Sequence, residues 1–282
     1  MPELPEVEVT RRGIAPALVG RRVSGGAIRA AKLRYPLCQE LPENLKGKTL
    51  LEVGRRGKYL LLYFGRGAVL IHLGMSGSLR LLPRDAAPQK HDHVDLEFGD
   101  RLLRMHDPRR FGAVLWFAAK AEMARHPLLT TLGIEPLEAD FTPDWLFAAT
   151  RGRQTPVKQL LMDSHLVVGI GNIYASESLY RAGIDPRTPA GRIGLKRFER
   201  LVPAIRTTLQ AAIDAGGSSL RDFIHSDGSS GYFQQQYFVY GRAGEACRVC
   251  GKTIRSLRQG QRATFFCPHC QGETGTQAGR PE

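Results

Sequence analysis

The chain has 282 residues, 42 % of them apolar, and carries 40 basic against 27 acidic side chains, for a net charge of +13 and a pI near 9.9. That length favours two domains and that composition excludes a disordered chain. The charge excess points to a polyanion, nucleic acid before a membrane surface, because no basic-faced amphipathic helix is evident and apolar runs such as Tyr59–Phe64 are too short to cross a bilayer. The first ten residues hold three Glu and no apolar core, so no signal peptide is read and a cytoplasmic location is expected. The five cysteines are then expected as thiols or metal ligands rather than disulfides.

The chain opens Met1-Pro2-Glu3-Leu4-Pro5-Glu6-Val7-Glu8. Removal of Met1 would expose the secondary amine of Pro2, a nucleophile able to form an iminium with a carbonyl-like carbon. An α-amino group has a reference pKa of about 7.7–8.0 against about 10.4 for lysine, so a substantial fraction is neutral near pH 7. Glu3 beside it could move a proton. Pro5 suits the first turn of a helix, and Val7, Ile14 and Leu18 form one stripe with the stem of Arg11. The ordinary alternative is a processing signal followed by routine acidic helix-start chemistry.

A β-rich half follows. Thr49–Val53, Lys58–Phe64, Ala68–Leu73, Ser78–Leu82, His93–Phe98, Arg101–Met105 and Ala113–Phe117 read as short strands, separated by turn signals at Gly54 to Gly57, Gly65 to Gly67, Gly74 to Gly77 and Gly99-Asp100. Strands so close, with no helices between them, predict antiparallel sheets in a sandwich or flattened barrel. Near residue 120 the pattern turns helical: Ala119–Arg125, Asp144–Thr150, Pro156–Asp163, Asn172–Ala182, Leu195–Ala215 with Pro203 as a candidate kink, and Leu220–Ile224. A second domain is expected from about 130. The polar loop Ser226–Gly231 and the segment Tyr237–Tyr240 lead into a cysteine-bearing module and a polar tail.

Cys247-x-x-Cys250 and Cys267-x-x-Cys270 stand sixteen residues apart. Two such knuckles complete a tetrahedron of soft thiolates, which selects one zinc ion; four sulfurs leave no open position, so the metal is structural. Cys38 is left over. Six Lys or Arg against one acid lie from Arg242 to Arg262, and Arg255, Arg258 and Arg262 fall between the knuckles, where a hairpin tip would reach phosphate. Thr264-Phe265-Phe266 reads as the returning strand.

Other candidates are less specific. Lys58 follows Arg55-Arg56-Gly57 at a strand start, a usual rim position. His91-Asp92-His93 lacks a third metal ligand nearby and better suits hydrogen bonds to phosphate or a neighbouring strand. Asp107-Pro108-Arg109-Arg110-Phe111-Gly112 sets Phe beside Arg in a tight loop, and Met75 lies in a glycine turn; each suits a wedge in a base stack or packing on its own domain. Gly169-Ile170-Gly171-Asn172 permits a sharp turn, with Asn172 placed to cap the next helix and its N–H groups available to an anion, while Arg151, Arg153 and Lys158 favour phosphate.

Together these motifs resemble the bacterial formamidopyrimidine-DNA glycosylase (8-oxoguanine DNA glycosylase) family, in collinear order from residue 1 to about 270. The residues are the Pro2-to-Glu8 start, Gly57-Lys58-Tyr59, His72-Leu73-Gly74-Met75-Ser76-Gly77, Asp107-to-Gly112, Gly169-to-Glu177, Ser226-Asp227-Gly228, and Gln261-Arg262-Ala263-Thr264 with the four cysteines. The resemblance implies an α+β fold: an N-terminal antiparallel β-sandwich with its terminal helix over 1–130, a helix–two-turn–helix domain over 131–235, a zinc finger over 236–270 and a tail over 271–282. It implies damaged double-stranded DNA as partner, excision of oxidised purines, strand cleavage by β,δ-elimination, and a monomer with no obligate protein partner. Carried onto this sequence, Pro2 is the nucleophile and Glu3 its acid/base partner. Lys58 is linked to the first elimination and Arg262 to the second. His91, Arg109, Arg153 and Asn172 contact DNA, and Met75, Arg109 and Phe111 fill the gap left by a flipped nucleotide. Arg153 departs from the lysine expected there, keeping the charge with a changed geometry. A zinc-ribbon DNA-binding module without chemistry, and the endonuclease VIII-like branch that prefers oxidised pyrimidines, are the alternatives. The Leu4-Pro5-Glu6 start favours the purine branch.

Overall fold

The structure is a computed structural model that describes residues 1–218 and 237–272. It divides into two compact units: Met1–Thr131 with the described residues from Ala212 to Ser218, and Leu132–Ala211 with those from Tyr237 to Gly272. The predicted helix Leu220–Ile224, the loop Ser226–Gly231 and residues 273–282 lie outside the described residues.

In the first unit, α1 spans Leu4–Leu18, and Val7, Ile14 and Leu18 are buried on its inner face as their spacing predicts. Two four-stranded antiparallel sheets follow. One runs β1 (Gly25–Ile28), β6 (Asp92–Phe98), β7 (Arg101–His106) and β5 (Ser78–Pro83) in spatial order. The other runs β2 (Leu50–Arg56), β3 (Tyr59–Phe64), β4 (Ala68–His72) and β8 (Ala113–Phe117). Leu60, Leu62, Phe64, Val69 and Ile71 of the second sheet share one core with Leu79, Leu96, Phe98, Leu103 and Met105 of the first and with α1, which makes the sandwich. The opposite face of β3 and β4 is also covered: Leu61 and Leu70 meet Met123 of α3 (Lys120–Ala124), with Leu128 and Leu129 of α4 (Pro127–Thr130) packed on them. Cover on both faces explains why Tyr59–Phe64 is a continuous apolar run rather than an alternating one.

Three details correct the sequence reading. Strand β2 continues through Gly54 to Arg56, because Arg56 pairs with Tyr59 and leaves only Gly57-Lys58 as the turn. Lys58 therefore stands in a two-residue hairpin turn rather than on the strand, behind Gly57 at φ +54°, a conformation favoured by glycine at that position. Strand β1 and the short helix α2 (Leu41–Leu45) are additions to the predicted elements.

The second unit holds α5 (Pro143–Thr150), α6 (Val157–Leu161), α7 (Asn172–Ala182), a 3-10 turn at Ala190–Arg192, most of α8 (Leu195–Asp214), and the hairpin β9 (Arg255–Gln259) and β10 (Arg262–Phe266). Thr142 caps α5 by accepting the Trp145 N–H at 3.1 Å, and Gly183 at φ +64° ends α7. Helix α8 passes through Pro203 and buries Phe198, Leu201, Val202, Ile205 and Leu209, one apolar stripe at helical spacing.

Candidate nucleic-acid interface and metal centre

Pro2 and Glu3 are buried where α1 begins, behind a half-buried Met1. A capping box pairs Glu3 with Glu6: the Glu6 carboxylate accepts the Glu3 N–H at 2.8 Å, and the Glu3 side chain accepts the Glu6 N–H in return. The other Glu6 oxygen accepts both the N–H and the hydroxyl of Ser218, each at 2.8 Å. Glu6 is fully buried and ties the chain start to Ser218 within the first unit. The sequence reading passed over it as ordinary helix-start acid; the three-residue spacing from Glu3 was the available signal.

The Lys58 turn is tied to the same helix. Arg55 donates to the Gly57 carbonyl at 3.0 Å and to the Glu8 carboxylate at 3.2 Å, and Arg11 and Arg12 donate to Glu8 at 2.8 and 2.9 Å. Burial alone would raise the Glu8 pKa, but these hydrogen bonds and the charges of Arg11 and Arg55 outweigh it and lower the value to about 2.

The two wedge candidates are adjacent. Gly74, at φ +67°, lies so close to the Phe111–Gly112 backbone that a Cβ there would meet Gly112 N and the Phe111 carbonyl carbon at 2.5 Å. The Met75 turn and the Phe111 turn thus rest directly on one another. His72 holds the first of them: its Nδ1 accepts the Gly74 N–H at 3.0 Å, and its ring packs 5.0 Å from that of Tyr59. Burial first, then the charges of Lys58 and Arg34, lower the His72 pKa to about 4, which keeps Nδ1 an acceptor at neutral pH. The buried Asp107 holds the second turn, accepting the Gly112 N–H at 2.7 Å. Phe111 itself is 46 % exposed, with the Arg109 guanidinium 4.9 Å from its ring centroid. Phe111 is thus not packed into the core of its own unit.

His91 is positioned by a buried ionic network. Arg104, 2 % exposed, donates to Asp95 at 2.8 Å and to the carbonyls of Ala86 and Ala87, while Asp92 accepts from Arg80, His106 and the Gln89 N–H. These bonds fix the loop that delivers His91 at φ +74°. His91 and Arg110, the latter inside the Phe111 turn at φ +55°, are the non-glycine residues with positive φ among those described. Such strain costs on the order of 1 kcal/mol and concentrates at functional loops. His93 is not a metal partner for His91; its Nε2 is 3.0 Å from the Asp107 carbonyl oxygen.

In the second unit, Gly171 and not Asn172 is the N-cap of α7, which corrects the expected cap. The Asn172 Oδ1 instead accepts from Lys158 at 2.7 Å, and the same ammonium donates to the Ala263 carbonyl at 3.0 Å and to Thr264 Oγ1 at 2.8 Å. Lys158 is 1 % exposed, so its three donors join the start of α7 to the strand that carries Arg262. The sequence reading gave Lys158 only a supporting part; its place one turn before a buried leucine pair was not distinctive. Arg262 is exposed as the first residue of β10 after the turn Gly260-Gln261, and Arg153 is exposed beside Gly191, which donates to its carbonyl at 2.9 Å.

The four predicted metal ligands converge. The sulfurs of Cys247, Cys250, Cys267 and Cys270 lie within 4.8 Å of one another, with Cys247–Cys270 at 3.8 Å and Cys250–Cys267 at 3.5 Å. A tetrahedron with Zn–S bonds of about 2.3 Å has edges of about 3.8 Å, so the set fits one zinc ion with no ligand position left over. Tyr180, Val239 and Ile254 surround the thiols, and Glu177 accepts the N–H groups of Phe238, Val239 and Tyr240 at 2.9, 3.0 and 2.8 Å. The buried Glu177 thereby fixes the segment leading into the knuckles. Cys38 is a free thiol near Glu40 and Asn44, apart from this cluster.

Comparison with known proteins gives three collinear family matches: the formamidopyrimidine-DNA glycosylase N-terminal domain over residues 1–114, the formamidopyrimidine-DNA glycosylase H2TH domain over 132–224, and a zinc finger found in FPG and IleRS over 244–272. The chain is 59 % identical over 272 residues to a formamidopyrimidine-DNA glycosylase of Janthinobacterium sp. (strain Marseille), covering 96 % of this chain and 100 % of the relative. Among solved structures it is similar to a Lactococcus lactis FPG mutant in complex with Fapy-dG-containing DNA, with a TM-score of 0.89 and 34 % identity over 96 % of this chain and 100 % of that one. A further complex of the wild-type Lactococcus lactis protein holds DNA containing an oxidised pyrimidine, with a TM-score of 0.88, 34 % identity and the same coverage. The MutM (FPG) protein of Thermus thermophilus matches at a TM-score of 0.85 and 38 % identity, covering 96 % and 99 % of the two chains.

Proposed function

The chain belongs to the formamidopyrimidine-DNA glycosylase family, DNA glycosylases of base excision repair with an abasic-site lyase activity, and from that premise we propose that Pro2, freed by removal of Met1, is the nucleophile that excises oxidised purines from duplex DNA. The observation that carries this reading is the 59 % identity, over 96 % of the chain, to a relative of that name, together with the Pro2-Glu3 start of this sequence.

Inside a duplex the anomeric carbon is inaccessible, so the lesion nucleotide must leave the stack, at a cost of a few kcal/mol. Met75, Arg109 and Phe111 offset that cost by occupying the hole, carried on turns that support one another. His91, Arg153 and Asn172 hold the flanking strand, Asn172 with its carbonyl committed to Lys158. The Pro2 nitrogen lies at the positive end of α1, which disfavours its ammonium form. Its lone pair attacks the sugar carbon, the C–N bond to the base breaks, and the base departs with that electron pair and a proton. Glu3 serves that proton transfer.

The attached nitrogen then loses its proton, and the sugar C1′–O4′ bond breaks with O4′ taking up a proton. The nitrogen lone pair closes a cationic iminium, which draws electrons from the neighbouring C–H bond. Loss of that proton expels the 3′ phosphate, and a second elimination expels the 5′ phosphate. Lys58 serves the first elimination. Arg262 cannot readily give up a proton, so it acts in the second by clamping phosphate and balancing charge. The zinc, when bound, fixes the fold of the hairpin; this chain's part is to hold Arg262 on β10 through Lys158.

DNA is the partner, and the basic surplus supports its capture. We read the protein as a cytoplasmic monomer with no obligate protein partner; among the described residues no helix is long and apolar enough to cross a membrane. The division of labour follows the expected segments: 1–130 for chemistry, 131–235 for DNA binding, 236–270 for the zinc-held hairpin.

The experiment is excision measured side by side on duplexes carrying 8-oxoguanine, a formamidopyrimidine or an oxidised pyrimidine. The reading predicts the two purine lesions as the faster substrates. Faster release of the pyrimidine would move the chain to the other branch; the Lactococcus complex with oxidised-pyrimidine DNA is the reason that arm is included.

A further inference from the structure

We propose that Tyr180 is a positioning residue for the zinc centre, its phenol donating a hydrogen bond to the Cys247 sulfur and so slowing loss of the metal. The oxygen of Tyr180 is 3.3 Å from Cys247 Sγ, and both residues are 3 % exposed. A metal-bound cysteine is a thiolate and can only accept, which makes the phenol the donor. Four thiolates around one divalent ion carry a net charge of about −2, and in a buried cluster each donor aimed at sulfur offsets part of it. The hydrogen bond therefore offsets part of the charge on the Cys247 sulfur and holds that ligand in its place.

The ring and the hydroxyl do separable work. The ring stacks on Phe238 at 5.4 Å and 17°, in the hydrophobic cluster around the cysteines. A phenylalanine would pack there equally well; only the hydroxyl reaches sulfur. Tyr180 stands on α7, whose first residue is Asn172 and whose Glu177 clamps residues 238–240, so the contact adds a direct tie between that helix and the metal centre. Its sequence context gave no hint, since an aromatic residue on the buried face of a helix reads as core.

The test uses the full-length protein with Tyr180→Phe, and Phe238→Leu as the packing control. With cobalt in place of zinc, loss of a donor on sulfur raises the energy of its lone pairs and shifts the sulfur-to-metal charge-transfer band to longer wavelength in Tyr180→Phe. In Phe238→Leu the band stays at the wild-type position. With zinc bound, transfer to a chromogenic chelator is expected to be about tenfold faster in Tyr180→Phe, the lower end of the effect of removing an outer partner of a metal ligand. A Tyr180→Phe band at the wild-type wavelength overturns the proposal whatever the release rate, because the hydroxyl then does not act on the sulfur. Neither outcome bears on the chemistry assigned to Pro2.

Discussion

At the scale of single residues, the site is built from groups whose surroundings fix their chemical state. His72 is neutral because burial and two nearby cations depress it, so it accepts the Gly74 N–H and steadies the turn that carries Met75. Lys158 is buried with three acceptors within hydrogen-bond reach of its Nζ. Arg262 differs: it is exposed on a hairpin strand, where a phosphate can reach it. Replacing it by alanine should leave base release and the first elimination in place and impair the second. Gel analysis of the cut strand should then show the unsaturated aldehyde accumulating in place of the 3′ phosphate. A normal 3′ phosphate yield from Arg262→Ala would remove Arg262 from that step.

At the scale of elements, helix α1 is both a wall of the core and the frame of the chain start. Glu8 joins it through Arg55 to the Lys58 turn. The folded pKa of Glu8, about 2, lies below its ordinary value of 4.5. A depressed carboxylate contributes stability that is fully present above the unfolded value and is lost as pH falls through the folded one. Glu8→Gln should therefore cost roughly 2 kcal/mol near neutral pH, and the two proteins should converge as pH falls from about 4.5 towards 2. Urea unfolding at several pH values measures this; a difference that does not change with pH would contradict it.

Much of this level was legible beforehand. The apolar stripe of α1, the short strands and the two cysteine knuckles are local patterns, and they form where their spacing puts them. Strand β1 was not legible because Gly25-Gly26-Ala27-Ile28 has no alternation and only one branched side chain, and exists only through pairing with β6. The roles of Glu6, Lys158 and Glu177 were hidden for a related reason. Each bonds to partners distant in sequence, as Glu6 does to Ser218, and no local pattern announces such a partner. Lys58 lies in the turn and not on the strand because β2 continues through Gly54, paired with Leu61, as far as the Arg56–Tyr59 pair, a pairing that no local pattern announces.

At the scale of the whole molecule, the net charge of +13 suits a polyanion, and the proposed function assigns part of the contact to Arg262 on the hairpin that the zinc would frame. Stripping the metal should unfold the frame of the β9–β10 hairpin, release Arg262 and weaken binding to lesion DNA strongly, with readdition restoring it. Fluorescence anisotropy at fixed salt measures the loss; unchanged binding by the metal-free protein would contradict a structural role. The proposed chemistry rests on one bond between the amine of a processed chain and deoxyribose. The direct measurement is borohydride reduction during turnover of lesion DNA, followed by mass mapping of the cross-linked peptide. The account predicts a chain that begins at Pro2 and a stable adduct on that nitrogen. A chain that keeps Met1 yet cuts damaged duplexes at full rate, or an adduct on a lysine instead, would contradict it.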